Sequence, residues 1–399
     1  MGAMSDPIIV VGGGLGGLTA ALALGQRGIA VHVIEQAAEI APIGYGIQLG
    51  PNVFHVLERL KLKPGILKVS HLPSSLMMMD ALTGEPLIDV TVNVGAYNDR
   101  FRQPYVVVHR ADLHHCLLEA CRGLRNIQLT VSATASHVEQ DGGRACVICE
   151  DGRRFEGAGV IAADGLKSRI RDRLISADTP TPNGYVAHRS ILDMADVPDG
   201  TPFMEQVVLW AGPSCHVVHY PLRGRSIFNV VVVFRPRGGS AAKEHEYADE
   251  IRAVYSGTVP TLRAIVEKVD STRRWQLADR DPIRRWSDGR VTLLGDAAHP
   301  TLQTLAQGAG MAIEDAYVVA ECIAGADLGL SSAFQVYERR RLLRSARVQL
   351  TSRSIWSFYH EEGIARDVRN EEARAIDETK FYDCVSWVWN ADPNVMAAA

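Results

Sequence analysis

A glycine turn close to the start of the chain most constrains what it can fold into. Pro7-Ile-Ile-Val-Val11 is a continuous apolar run, Gly12-Gly13-Gly14-Leu15-Gly16-Gly17 follows, and Leu18-Thr-Ala-Ala-Leu-Ala-Leu24 reads as a helix apolar on most faces. Gly28 closes that helix, and Ala30-Val-His-Val-Ile34 forms a second strand that ends at Glu35. Strand, helix and strand in this order make a βαβ unit, whose continuous apolar strands belong in a buried parallel sheet. Each glycine has a mechanical part. Gly12 permits the tight turn, Gly14 lets a pyrophosphate approach the backbone N–H groups at the positive end of the helix dipole, and Gly17 lets helix and strand pack closely. Glu35 is placed to accept hydrogen bonds from a ribose diol. The pattern predicts a site for an adenosine diphosphate moiety and does not choose between NAD and FAD.

A second signal makes that choice. Val291-Thr-Leu-Leu294 is another buried strand, and Gly295-Asp296-Ala297-Ala298-His299-Pro300 follows it ahead of Gly308 and a helix. An Asp at the carboxyl end of a strand can hold a polyol, while the amides of the helix that follows face an anion. Two such places far apart in one chain fit the two ends of one long cofactor. FAD has that shape, with ADP at one end and a ribityl-flavin at the other.

Between these signals the pattern changes. Arg110 to Cys121 reads as a helix, a hairpin follows across Asp141-Gly142-Gly143 and Asp151-Gly152, and Val160-Ile-Ala-Ala163 ends at Asp164-Gly165. From about Gly184 to Asp281 the chain alternates in strand fashion, at Gln206 to Trp210, His216 to Tyr220 and Ile227 to Phe234, with one helix pattern at Glu246 to Tyr255. Ala41 to Asn52 reads as Gly-rich and irregular, and the stretch from Ala333 onward as helical. The fold class expected is α/β: a discontinuous Rossmann-like FAD-binding domain, an inserted, mostly antiparallel β substrate domain, and C-terminal helices. The boundaries read are FAD-binding at 7–75, 105–180 and 282–335, substrate-domain strands at 76–104, a substrate-binding sheet at 181–281, and a C-terminal helical region at 336–399.

Composition excludes other classes. With 42 Lys and Arg against 46 Asp and Glu, the net charge of −4 argues against a broadly basic nucleic-acid binder. No apolar stretch nears the roughly 20 residues that cross a bilayer, and the start has no signal-like segment. Met1-Gly2-Ala3 ahead of Met4 reads as an expression remnant. Seven cysteines make an odd number, and Cys146-Val-Ile-Cys149 lies in an alternating strand with no second pair for zinc, so no metal site is expected. A reduced, cytoplasmic compartment is the expectation. Arg339, Arg340, Arg341, Arg344 and Arg347 cluster on the late helix and read as a solvated face or a subunit contact, leaving a homodimer possible.

Together these motifs resemble the class A, single-component flavoprotein aromatic hydroxylases, of the p-hydroxybenzoate hydroxylase type, over residues 7 to about 390. The family's glycine pattern stands here as Gly12, Gly14 and Gly17, its D-G pair as Asp164-Gly165, its G-D as Gly295-Asp296, and its R-x-x-L arginine as Arg110. The resemblance implies FAD held throughout turnover and NADH or NADPH as co-substrate without a nucleotide domain of its own. It also implies O2 activation as a flavin C4a-hydroperoxide. Asp164-Gly165 would serve both cofactors, helix amides from Gly308 onward would face the flavin pyrimidine edge, and Gly44-Tyr45-Gly46-Ile47-Gln48 would flank the flavin ring.

Hydroxyl transfer to a ring needs a nucleophilic carbon, so a phenolic substrate needs a base within hydrogen-bond reach, in a pocket that excludes water. In Cys215-His-Val-Val-His-Tyr-Pro221, alternation puts His216, Val218 and Tyr220 on one face and Cys215, Val217 and His219 on the other. A hydrogen-bonded core histidine beside a core tyrosine is the plain reading; the resemblance turns this strand toward the flavin, with His216 as base and Tyr220 as positioning hydroxyl. Within the family the stretch resembles the 3-hydroxybenzoate 6-hydroxylases, which pair such a His and Tyr with a Gln beyond G-D-A-A-H-P, here Gln303. The late aromatic pair Trp387 and Trp389 agrees. The implied reaction is 3-hydroxybenzoate to 2,5-dihydroxybenzoate. The 6-hydroxynicotinate 3-monooxygenases, which carry His where this chain has Gln48, and the salicylate hydroxylases are the rivals; flavin halogenases are disfavoured because W-x-W-x-I-P is absent. A dehydrogenase using NAD alone and a flavin-binding redox sensor without catalysis remain as other classes. For the substrate carboxylate, Arg189, Arg225 and Lys167 are candidates by charge alone, and each reads as a surface residue.

Overall fold

The computed structural model describes residues 6–40, 44–175, 178–236, 246–326 and 329–392. The Met1-Gly2-Ala3 start and part of the Ala41 to Asn52 stretch lie outside these residues. Among the described residues, five parallel strands run side by side in the order Ile127–Thr130, Val31–Ile34, Ile8–Val11, Gly159–Ala162 and Val291–Leu293, with Ser287–Asp288 antiparallel at the edge. Numbered along the chain, that order is 3-2-1-4-5. The connections reverse direction between Ile8–Val11 and Gly159–Ala162, and open α/β sheets hold ligands in the crevice at such a reversal.

The glycine turn sits at that reversal. Gly12 adopts φ +106°, a conformation side chains resist, and a Cβ on Gly17 would stand 1.9 Å from the Gly12 carbonyl oxygen. The helix Leu15–Gly25 is buried over its whole length, between the sheet and the helices Gly308–Ala324 and Arg110–Arg122.

A seven-stranded sheet forms the second layer, in the order Trp275–Asp279, Thr181–Asp193, Ile227–Phe234, Cys215–Leu222, Val207–Gly212, Ser75–Asp80 and Pro86–Thr91. Only Val207–Gly212 with Ser75–Asp80 is parallel. One face packs Val217, Phe228, Val230 and Val232 beneath the helices Tyr247–Tyr255 and Pro260–Val266. The other face turns toward the glycine turn, and the helices Leu330–Tyr359 and Glu378–Trp389 close the space between the layers.

Two expectations need correction. Within the stretch read as irregular, Gly46–Leu49 is a strand paired with Val106–His109, and the next helix starts at Pro51. Gly46 donates its N–H to Asn229 Oδ1 at 2.8 Å, and that cross-layer bond fixes the strand. The arginine cluster is not simply a solvated face. Arg341 and Arg344 are buried and paired with Glu314 and Asp315, while Arg347 lies 4.0 Å over the Trp387 ring. Helical spacing puts Arg341 and Arg344 on the inward stripe with Tyr337 and Val348. Cys146 and Cys149 lie buried in the strand Ala145–Cys149, burial raises both thiols, and the described cysteines are free.

Candidate active site

The helix Leu15–Gly25 begins on the floor of a cavity of about 1240 Å³ that reaches from Gly12 and Glu35 to His216 and Trp389. A site for one drug-sized ligand occupies roughly 300–1,000 Å³, so this space suits a long cofactor with a small molecule at its end. At the near end Gly14 caps the helix, and a Cβ there would meet nothing within 4 Å, which leaves backbone N–H groups open to the cavity. Glu35 accepts from the Gly13 N–H at 2.7 Å and the Ala37 N–H at 2.8 Å, which pins its carboxylate beside the turn.

The middle of the cavity gathers Arg110, Asp164, Gly165, Gly295, Asp296 and Gly308. One Asp164 oxygen accepts from the Arg169 N–H at 3.0 Å; the other is buried without a partner, and burial raises this carboxyl. Asp296 is exposed only in the sense that it faces the cavity, and the protein around it raises its carboxyl, with Asp315 adding and His299 and Arg110 opposing. The turn carrying Asp296 is held from behind. Asp315 accepts from the Gly295 N–H at 3.1 Å, contacts His299 Nε2 at 2.5 Å and pairs with Arg341 Nε at 2.6 Å. The open helix terminus, the orphaned Asp164 oxygen and the cavity's length all fit FAD.

At the far end His216, Val218 and Tyr220 face the cavity together, as strand alternation predicts. His219 faces the opposite core, accepting from Trp210 Nε1 at 3.0 Å. Tyr220 packs on Gly46, where a Cβ would stand 2.5 Å from its ring, and burial raises its phenol. Gln48 lines the same space and accepts from Tyr105 OH at 2.5 Å. Gln303 joins the group, its Nε2 lying 3.4 Å from His216 Nε2. Apolar walls come from Leu76, Met78, Ile88, Phe381 and Trp387.

Of the residues named from the sequence for this site, Gly17, Gly44 and Arg225 do not line the cavity; the part of Gly17 is the packing beneath it. Arg189 is a correction. It is not at the surface: it lines the cavity, its Nη2 donates to Gln303 Oε1 at 3.0 Å, and its Nε is buried without a partner. Among the described residues no carboxylate pairs with it, and burial lowers its pKa. Tyr185, Ala187, Arg189 and Ile191 share one strand face, so an arginine among apolar alternates was the available signal. Arg225 does lie at the surface, paired with Glu205, and Lys167 is exposed at the cavity rim. His360, 2.8 Å from His216 Nδ1, carried no sequence signal because it enters from a helix end 144 residues away.

Comparison with known proteins agrees with this geometry. A family model described as FAD binding domain matches residues 6–351. A 3-hydroxybenzoate 6-hydroxylase of Polaromonas naphthalenivorans (strain CJ2) is 40% identical over 387 residues, 96% of each chain. A 6-hydroxynicotinate 3-monooxygenase of Pseudomonas fluorescens is 33% identical over 359 residues, 87% of this chain and 90% of its own. Among solved structures, Klebsiella pneumoniae HpxO complexed with FAD and uric acid superposes with a TM-score of 0.82 at 24% identity, covering 98% of this chain and 96% of its own, which shows a shared fold. With the match spanning both ends of the cavity, this chain belongs to the FAD-binding domain family of flavin-dependent aromatic hydroxylases.

Proposed function

We propose that the chain hydroxylates a small phenolic aromatic acid, 3-hydroxybenzoate giving 2,5-dihydroxybenzoate, with NADH or NADPH and O2 as co-substrates. The observation that carries this reading is the far chamber itself. A neutral base, His216, a phenol, Tyr220, and a cation without a counter-ion, Arg189, converge beside Gln48 and Gln303 in a space walled by Leu76, Met78, Ile88, Phe381 and Trp387. Bound FAD supplies the oxygen-transfer chemistry. Glu35 and the backbone N–H groups at the start of the helix that Gly14 caps would hold its ADP half, and Arg110, Gln48, Asp164, Gly165, Asp296 and the helix start at Gly308 would hold the rest.

The residues then divide the substrate between them. Arg189 and Tyr220 take the carboxylate, the cation by charge and the phenol by a hydrogen bond. His216 Nε2 takes the phenol proton, which makes the ring carbon para to that oxygen nucleophilic; in 3-hydroxybenzoate that carbon is C6. Burial first, then His360, holds the His216 pKa well below its ordinary value. The imidazole is therefore neutral at working pH, and its cation forms only against the phenolate beside it. The apolar walls keep water from the reacting oxygen.

Two measurements test this. Product and O2 uptake are followed for 3-hydroxybenzoate, 4-hydroxybenzoate, salicylate and 6-hydroxynicotinate, and 2,5-dihydroxybenzoate from the first is the expected best yield. His216→Ala should keep FAD and still oxidise NADH with substrate present, with the ring-hydroxylation step slowed by about 10²–10⁴-fold. Hydrogen peroxide should replace product. His219→Ala should cost stability by stranding Trp210 Nε1, yet remain coupled. Hydroxylation at the wild-type rate in His216→Ala would remove the base from this reading.

A further inference from the structure

We propose that His360 is a positioning residue that holds His216 in the one tautomer able to accept the substrate proton; this rests on the base role of His216 proposed above. Five groups form one line of hydrogen bonds: the Trp356 carbonyl, His360, His216, Gln303 and Arg189. Its two ends have fixed polarity, because a carbonyl oxygen only accepts and a guanidinium only donates. From the first end, Trp356 O lies 2.8 Å from His360 Nδ1, so that nitrogen carries a proton. His360 Nε2 is then the acceptor, and His216 Nδ1, 2.8 Å away, is the donor. From the other end, Arg189 donates to Gln303 Oε1, which turns the amide N–H groups toward His216 Nε2. Both ends require the same answer, a proton on Nδ1 of His216 and a lone pair on Nε2, which accepts from Gln303 here and which the substrate phenol would take over.

The device follows from helix architecture. Trp356 O is among the last four carbonyls of the helix Leu330–Tyr359, which have no partner within the helix. His360, the residue that caps this helix, satisfies one of them with its own ring and is oriented by doing so. Its ring is buried, lies 4.6 Å from the Tyr185 ring, and sits near Arg235 and Arg369. Burial, with those two cations adding and the Trp356 bond opposing, lowers its pKa to about 4, so it remains an acceptor for His216.

The test uses FAD-loaded enzyme labelled with 15N-histidine. In the wild type the His216 ring should show a protonated Nδ1 and a bare Nε2. His360→Leu removes the acceptor, so His216 should shift toward the Nε2-protonated tautomer, and product per NADH should fall at least about tenfold with peroxide in its place. FAD content and substrate-stimulated NADH oxidation should stay near wild type. His360→Gln keeps an acceptor at that position and should recover most of the coupling and the original tautomer, which a packing role alone would not give. An Nε2-protonated His216 in the wild type overturns the proposal. So does a His360→Leu enzyme with an unchanged His216 tautomer, whatever its coupling, and so does a His360→Gln enzyme no better coupled than His360→Leu. Normal coupling in His216→Ala would instead overturn the base role itself, while the 15N tautomer still reports on His360.

Discussion

Arg189 shows how one residue can define what a site accepts. Taking a cation out of water is costly unless it is paired; half-buried Arg189 receives only the Gln303 carbonyl oxygen from the protein, and its buried Nε has no partner. A carboxylate arriving with the substrate would supply the missing charge and two acceptors. Hydrogen bonds to charged groups contribute about 1.5–3 kcal/mol, so Arg189→Met should weaken binding of 3-hydroxybenzoate roughly 10- to 100-fold. Binding of a phenol without the carboxylate should change far less. Flavin absorbance changes on titration would read both affinities, and an equal loss for both ligands would sink the anchoring role. At this scale the sequence spoke unevenly. Strand alternation put His216 and Tyr220 on one face, but only the family resemblance turned that face toward the flavin and singled out Gln303. Arg189 was passed over because its formal charge outweighed its position among the apolar alternates Tyr185, Ala187 and Ile191. His360 was invisible, since only the fold brings its helix end to the strand.

Elements turn these residues into a site by holding one another. The Gly295-Asp296 turn is a short 3-10 segment with little rigidity of its own. Its shape is imposed by Asp315 of the helix Gly308–Ala324, and Asp315 is held in turn by Arg341 of the long helix, beside Arg344 and Glu314. These four charged side chains are buried, and removing one partner from a buried pair costs about 3–5 kcal/mol because the other charge is left behind. Arg341→Met should therefore lower the unfolding free energy in urea by about that much. It should also weaken FAD retention, although Arg341 does not line the cavity. Unchanged FAD affinity in a folded Arg341→Met protein would show that the turn holds its shape unaided. The Gly295-Asp296 junction was legible as part of the site only together with the distant Gly12-Gly14-Gly17 turn and Glu35. The arginine run hid its structural part because the residues were read as a block of charge; sorted by helical turn, Arg341 and Arg344 fall with Phe334, Tyr337 and Val348 on the buried stripe.

For the whole molecule, the local βαβ signal implied a parallel sheet, but not the order of five strands drawn from residues as distant as Ile8 and Leu293, because pairing across such separations leaves no periodic trace. The layers it produces bury six described histidines, His114, His188, His216, His219, His299 and His360; burial lowers the pKa of His114, His188, His216, His219 and His360, with a consequence for stability. Desolvation lowers His188 to about 4, His219 to about 3 and His360 to about 4, from an ordinary value of 6.5, and puts His216 well below it. Between about pH 4 and 6.5 the unfolded chain therefore binds protons at these positions that the folded chain refuses. Stability rises with pH wherever the unfolded state holds more protons, so it should fall as the pH drops from 6.5 toward 4, by about 1.4 kcal/mol per pH unit for each histidine fully in that window. The raised carboxyls of Asp164 and Asp296 act against this slope, since the folded state protonates them more readily. Against burial, Asp80 is lowered to about 2 by Arg366 and Asn370, and Asp315 to about 2 by His299 and Arg341; both add a further loss only below about pH 3.8. The lowered histidines outnumber the two raised aspartates, so Tm should decline steadily from pH 6.5 to pH 4.5. His188 isolates the cause: both its ring nitrogens are unpaired, its ring stacks on Phe234, and it faces away from the cavity lining. His188→Gln should flatten the slope by about one proton, roughly 1.4 kcal/mol per pH unit. A Tm that stays level or rises on acidification, or a slope that His188→Gln leaves unchanged, would mean the buried rings are not what the acid acts on.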